Sequence, residues 1–194
     1  MEYIPLGKTG ECISRIGLGT WQYSETWGLT EYNIAKNIIA KAIEHGINLF
    51  DTAMVYGRGM SEEFIGRAFK ELGIKRDSIF IATKIPGDFL SYDDVFKATE
   101  RSLRRLGVDY IDLMQVHWPP CWHNFPTCEY MRALERLVFL GKIRYLGLSN
   151  FPVELIEAAR SCLSRNNIVT LQVRYNIIER EAEKELYPMQ RKII

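Results

Sequence analysis

The chain has 194 residues, 47% hydrophobic and 25% charged, with Lys+Arg 25 against Asp+Glu 24 and a formal net charge of +1. Such a chain suits one domain, residues 1–194, with a packed core rather than disorder. The balanced charge argues against nucleic acid or a membrane surface as partner, and no run reaches the roughly 18 apolar residues of a membrane span. The opening "MEYIPLGKTGECISRIGLGTW" carries no apolar segment of signal type, so a cytoplasmic setting is expected.

"YIPLGKTGECIS" reads as a small β-hairpin with Thr9-Gly10 at its turn. From Ile13 onward, short β-branched runs alternate with helix-period segments. Strand-like runs begin near Ile13 (ISRIGLGTW), Asn48 (NLFDTA), Ile79 (IFIATKI), Tyr110 (YIDLMQVHW), Ile143 (IRYLGLSN) and Ile168 (IVTLQVRYN). Amphipathic segments fall at 31–45, 61–72, 92–106, 128–140 and 152–164. Gly46, Gly73, Gly107 and Gly141 stand where four of these helices would close. Ser61 and Asp93 are plausible helix starts, and Pro152 suits a first turn.

A repeat of about 30 residues, one strand and one helix, predicts a parallel sheet, either a (β/α)₈ barrel or an open doubly wound sheet. A dinucleotide-binding open sheet carries a Gly-rich turn after its first strand. Here that place holds "GTWQYSETWG", which favours the barrel. The fold class expected is therefore α/β, an incomplete TIM barrel with about six of eight βα units and the hairpin plugging its bottom.

The four cysteines, Cys12, Cys121, Cys128 and Cys162, form no CxxC pair and are expected to be reduced thiols. "HWPPCWHNFPTC" gathers His117, Cys121, His123 and Cys128, but at a spacing that matches no zinc pattern, and no metal is expected.

In such barrels chemistry collects at the C-terminal ends of strands. Reading those ends gives Gly19, Thr20 and Trp21, then Asp51 with Tyr56 beyond it, Lys84, His117 with Trp118, Ser149 with Asn150, and Gln172. A lysine closing the apolar run "FIAT" is expected to be part-buried and to need a carboxylate, which Asp51 on the neighbouring strand supplies at the same level. Asp51, Lys84, His117 and Tyr56 each have a plain structural reading alone, as a cap, a salt bridge, a strand-end polar group and a loop aromatic. Together on one face they suit carbonyl reduction. Negative charge builds on the substrate oxygen, and Tyr56 supplies a proton. The Lys84 ammonium is expected to lower the Tyr56 pKa, and His117 to orient the oxygen. Trp21 and Trp118 would wall the pocket around a small carbonyl compound.

The motifs "GINLFDTAMVYGRGMSEEFIG", "FIATKI", "LRRLGVDYIDLMQVHWP", "GKIRYLGLSNF" and "LQVRYNIIER", in that order, resemble the aldo-keto reductases. The potassium-channel β subunits share the fold, so the alternative is an inactive fragment or a non-catalytic binding or regulatory protein on the same scaffold. The resemblance implies NADPH, less often NADH, as cofactor. It implies Tyr56 as proton donor tuned by Lys84 and Asp51, with His117 orienting the substrate. It implies Ser149, Asn150 and Gln172 on the nicotinamide carboxamide, and contacts to the cofactor from Gly19, Thr20, Trp21 and Asp51.

The family's last two units, which hold the cofactor phosphates, have no counterpart here, and Arg191 and Lys192 are not assigned to that role. NADPH binding by this chain alone is therefore expected to be weaker than micromolar, about −8 kcal/mol. Open strand edges near Ile13 and Ile168 are expected to invite self-association or a complementing C-terminal fragment. Trp122 and Phe125 are expected to shape the substrate pocket, while the identity of the substrate is not legible.

Overall fold

Six strands run parallel in chain order, each carrying its polar end to the same rim. The computed structural model describes residues 1–120 and 123–193, with 190–193 described by backbone only. Cys121 and Trp122 lie outside the described residues, as do the side chains of Arg191 and Lys192.

The N-terminal hairpin pairs β1 (Tyr3–Pro5) with β2 (Cys12–Ser14) antiparallel. The sheet follows with β3 (Leu18–Gly19), β4 (Leu49–Asp51), β5 (Phe80–Ile85), β6 (Ile111–Val116), β7 (Ile143–Ser149) and β8 (Ile168–Gln172), ordered β3-β4-β5-β6-β7-β8. Between and after them lie α1 (Tyr32–Glu44), α2 (Met60–Glu71), α3 (Tyr92–Leu106), α4 (Thr127–Phe139), α5 (Val153–Ser161) and α6 (Leu186–Ile193). This is the expected partial (β/α)₈ architecture with its hairpin.

Strands β5 and β6 are buried along their whole length, as strands of a parallel sheet covered on both faces must be. The helices cover the outside through apolar stripes. In α3 the buried positions are Val95, Ala98, Thr99, Ser102, Leu103 and Leu106, the spacing of one helix face. Phe50, Ile81, Met114 and Leu148 are each 0% exposed, and each such side chain stabilises the fold by roughly 1.5–3 kcal/mol.

The helix ends fall close to their expected places. Gly46, Gly73, Gly107 and Gly141 all carry positive φ, so the chain leaves each helix through a conformation that only glycine adopts freely. At the start of α3, Ser91 Oγ accepts the Asp94 N–H at 3.2 Å, which makes Ser91 the cap and puts Asp93 in the first turn.

Five further expectations are corrected. Ile13 belongs to the hairpin, and the first barrel strand begins at Leu18; the run "ISRIGLGTW" is cut in two by the bend after Ser14. Ser61 does not start α2. Gly59 precedes that helix, and the Ser61 hydroxyl is buried against Thr20 Oγ1 at 2.7 Å and Thr52 Oγ1 at 2.8 Å. Helix α5 ends at Ser161, short of 164, because the Glu135 carboxylate of α4 gathers the backbone N–H groups of Ser164, Arg165 and Asn166 at 2.8–3.0 Å. Burial pushes that carboxyl up, but these donors win and hold it at about 2. Cys128 and Cys162 are joined in a disulfide tying α4 to the end of α5, not reduced, while Cys12 is free and exposed. Asp51 pairs in register with Ala82, so Lys84 stands two residues farther along β5 and reaches back with its long side chain.

The hairpin closes the N-terminal end of the sheet. Leu6 and Ile13 pack on Phe80, Ala82 and Leu113, as the plug reading requires. Polar ties add to it. Glu11 pairs with Arg144 and accepts the Tyr145 hydroxyl at 3.1 Å. The buried Asp112 accepts Arg76 at 2.5 Å and the Ile81 N–H at 2.8 Å. One end of the sheet is thus filled and cross-linked, which leaves the other for a site. Among the described residues no helix is long and apolar enough to cross a membrane.

Candidate active site

At the C-terminal ends of the strands lies an open cavity of about 650 Å³. Its walls include Trp21, Tyr56, Lys84, His117, Trp118, Ser149, Asn150 and Gln172. All of them were singled out from sequence. Asp51, Gly19 and Thr20 do not line it. Asp51 stands behind Lys84 and Gln172, and the Thr20 hydroxyl turns away to donate to the Asp51 backbone carbonyl at 2.8 Å.

Lys84 anchors the group. Its side chain is 2% exposed, and Nζ donates to Asp51 Oδ1 at 2.6 Å and to the Thr52 carbonyl at 2.8 Å. Tyr56 Oη lies 3.4 Å from the same Nζ. The chain brings Tyr56 there by a tight turn after β4, in which Gly57 and Arg58 both carry positive φ, at 57° and 56°. A left-handed arginine is strained, and such strain concentrates where a side chain must be aimed.

The electrostatics differ from the sequence expectation at one point. Burial raises the Tyr56 pKa, and the Asp51 charge raises it further, so the phenol is not tuned down by its lysine. The reason is the order of the contacts: Asp51 holds the ammonium at 2.6 Å while the phenol sits at 3.4 Å, so the carboxylate screens the lysine's charge. Tyr56 therefore carries its proton throughout the neutral range. Burial lowers the Lys84 pKa, and the charge and hydrogen bond of Asp51 oppose that fall.

His117 directly follows β6 beside this group, with its ring 5.6 Å from that of Tyr56 and stacked on Trp118 at 3.9 Å. Burial first, and then the charge of Lys84, lower its pKa from 6.5 to about 3. The imidazole is neutral at neutral pH, and its buried Nδ1 has no partner among the described residues. Unfolded, the same ring takes up a proton near pH 6.5. This contribution to stability is thus whole above pH 6.5 and is lost as the pH falls toward 3. His117→Gln is expected to flatten the loss of stability over that acid window by about 2–4 kcal/mol, read from urea melts at successive pH values.

The far wall is built by β7 and β8. Asn150 follows β7 at φ 60°, a conformation asparagine tolerates better than most residues. Its side-chain amide donates to the His117 carbonyl at 2.9 Å and to Ser149 Oγ at 3.1 Å. Gln172 Nε2 donates to Asp51 Oδ2 at 3.2 Å, across the concave face of the sheet. Several lining groups escaped the sequence reading. Trp27 packs on Trp21 at 4.5 Å, and Val55, Gly57 and Arg174 also face the cavity. The "ETWG" turn gave Trp27 no strand end to mark it. Phe125 lines a separate surface hollow with Pro119 and Tyr130, not this cavity. Among the described residues no His, Cys, Asp and Glu side chains cluster as a metal site would require.

Comparison with known proteins agrees with this fold. Residues 15–193 match the model of the aldo/keto reductase family. Aldo-keto reductase YhdN of Bacillus subtilis is 41% identical over 197 residues, which is 97% of this chain and 58% of that protein. The chain thus spans less than two thirds of that relative's length. Among solved structures, the thermostable aldo-keto reductase Tm1743 in complex with epalrestat superposes with a TM-score of 0.91 at 39% identity, covering 100% of this chain and 70% of that one. An aldo-keto reductase from Klebsiella pneumoniae in complex with NADPH superposes at 0.85 with 31% identity, over 96% of this chain and 63% of that one. The chain belongs to the aldo/keto reductase family.

Proposed function

We propose that this site reduces an aldehyde or ketone to an alcohol with NADPH, or NADH in its place. The observation that carries the reading is the Asp51–Lys84–Tyr56 sequence of contacts at 2.6 and 3.4 Å on the wall of a cavity walled by aromatic rings.

In this reading the carbonyl carbon gains a hydride and the carbonyl oxygen gains the Tyr56 proton. A reduced nicotinamide supplies the hydride when bound. Tyr56 is protonated beforehand, and Lys84 stabilises the phenolate only as the proton leaves, when charge develops next to its ammonium. Asp51 keeps Lys84 charged and fixed. Neutral His117 donates a hydrogen bond to the substrate oxygen, and an imidazole that does not ionise does so unchanged over a wide pH range. Trp21 and Trp118 form the apolar walls.

The residues at the β7 and β8 ends fit a carboxamide. Among the described residues the Ser149 hydroxyl proton and the Asn150 side-chain carbonyl are unused, giving one donor and one acceptor side by side, with Gln172 beyond. Gly19 and Thr20 would contribute backbone only, since the Thr20 side chain is engaged. The reading carries a cytoplasmic setting with it, where reduced nicotinamides are abundant and the Cys128–Cys162 bond faces reducing thiols. It also includes pairing at strands β3 and β8, each of which has one neighbour among the described residues, by a second copy or a complementing fragment.

Tryptophan fluorescence tests the cofactor, because Trp21, Trp27 and Trp118 all line the cavity. Quenching by NADPH that saturates only above micromolar concentration, in keeping with the weak binding expected of this chain, followed by NADPH oxidation that requires an added aldehyde, is the expected result. Quenching without oxidation would move the reading to a non-catalytic role, and the absence of both would contradict it.

A further inference from the structure

We propose that Gln115 is a positioning residue for this site, holding the Gln172 side chain so that its amide meets the Asp51 carboxylate. The inference rests on the reading of Asp51, Lys84 and Tyr56 as the proton-donating group.

Gln115 lies inside β6, 2% exposed, in a strand where every residue is buried. A buried amide without partners is costly, so its place in the core asks for hydrogen bonds. It has one on each side. Thr170 Oγ1 donates to Gln115 Oε1 at 3.1 Å, and Gln115 Nε2 donates to Gln172 Oε1 at 3.1 Å. Gln172 Nε2 then donates to Asp51 Oδ2 at 3.2 Å, and Lys84 Nζ to Asp51 Oδ1 at 2.6 Å.

The direction of this relay is dictated by chemistry. A carboxylate only accepts, so Gln172 must turn its NH₂ toward Asp51. Its carbonyl then faces Gln115, which must donate. The Gln115 carbonyl in turn faces Thr170, whose hydroxyl supplies the last proton. Each link has one permitted polarity, set from the Asp51 end.

The sheet leaves a gap for this relay. Gln115 pairs in register with Gly147, and Gly147 with Thr170, so Gln115 must cross β7 to reach β8. A Cβ on Gly147 would stand 2.1 Å from Thr170 Oγ1 and 3.2 Å from Gln115 Cγ. Glycine at 147 is what lets the amide and the hydroxyl meet. Lys84 is the in-register partner of Gln115 on the other side, so the relay leaves β5 and returns to it through Asp51.

Gln172 itself is only half-buried and borders the cavity. With its carbonyl unheld, the side chain is free to swing into the cavity and leave Asp51 Oδ2 without its donor. Gln115→Met keeps length and bulk while removing both hydrogen bonds. Side-chain amide exchange followed by NMR reads the result directly. The Gln172 NH₂ is expected to exchange at least about tenfold faster in Gln115→Met, while the Asn150 NH₂, held by the separate His117 carbonyl, keeps its wild-type rate. A purely structural role would speed both together. Where aldehyde-dependent turnover is measured, Gln115→Met is expected to lower kcat about tenfold and to have no further effect in a Gln172→Met background. If Gln115→Met does not fold, Gly147→Ala and Thr170→Val are expected to give the same exchange signature. Unchanged Gln172 exchange in a folded variant, equal acceleration at Asn150, or additive losses of kcat would overturn the proposal. Failure of the carbonyl-reduction reading would show as absent turnover with the exchange result intact.

Discussion

Asp51→Asn is expected to destabilise the chain by about 3–5 kcal/mol at neutral pH, the cost of leaving a buried ammonium without its counter-ion. Lys84 is the group that suffers. It is 2% exposed, and among the described residues its other contacts within hydrogen-bond range are the Thr52 carbonyl and the Tyr56 hydroxyl, both uncharged. The substitution also sets the new amide's NH₂ against either Lys84 or the Gln172 NH₂, since both neighbours donate. The penalty has a pH signature. Folded Lys84 already has a lowered pKa, and losing Asp51 lowers it further. A neutral amine needs no carboxylate, so the difference between variant and wild type is greatest below the variant's lysine pKa and shrinks as pH rises through it. Denaturant melts of both proteins from pH 6 upward, at about one-unit steps, follow that curve. A penalty constant across the range would mean that the Lys84 charge is not its source.

Tyr56→Phe is expected to do the reverse, leaving stability nearly untouched while lowering turnover by about 10²–10⁴. Among the described residues the Tyr56 hydroxyl makes one hydrogen-bond contact, with Lys84 at 3.4 Å, and that lysine keeps Asp51 and Thr52 when the hydroxyl is gone. The ring stays in place against His117 at 5.6 Å, so the cavity keeps its shape. What disappears is the proton. Because burial keeps the phenol protonated, the donor form is fully populated at neutral pH, and its loss falls on the proton-transfer step rather than on binding.

Some parts of this structure were legible in the sequence and others were not, for identifiable reasons. Helix limits came through because Gly46, Gly73, Gly107 and Gly141 each end a helix by backbone conformation, a local property. The rim residues came through because a parallel sheet forces an apolar run to give way to polar residues at one end. The split of "ISRIGLGTW" into hairpin and barrel strand did not, since both halves have strand character and only the tertiary contacts of Leu6 and Ile13 separate them. Residue spacing gave no sign of the Cys128–Cys162 bond, which links positions 34 apart that meet only when α4 and α5 pack. The two-residue offset of Lys84 from Asp51 is not legible, because register is fixed between strands rather than within them. Nor is the direction of the Tyr56 shift, because the sequence places an ammonium near the phenol without revealing that Asp51 holds it more closely. In "IDLMQVHW" the strand end marks His117, while the signal for Gln115 is a glutamine in the middle of a wholly buried strand.

The central claim is that Tyr56 delivers a proton to a carbonyl oxygen while Lys84 and Asp51 hold it in place. The most direct measurement compares aldehyde-dependent NADPH oxidation by wild type and Tyr56→Phe under one set of conditions, with thermal melts of both. The account predicts matched melting temperatures and a loss of turnover of about a hundredfold or more. Equal turnover in two equally stable proteins would contradict it.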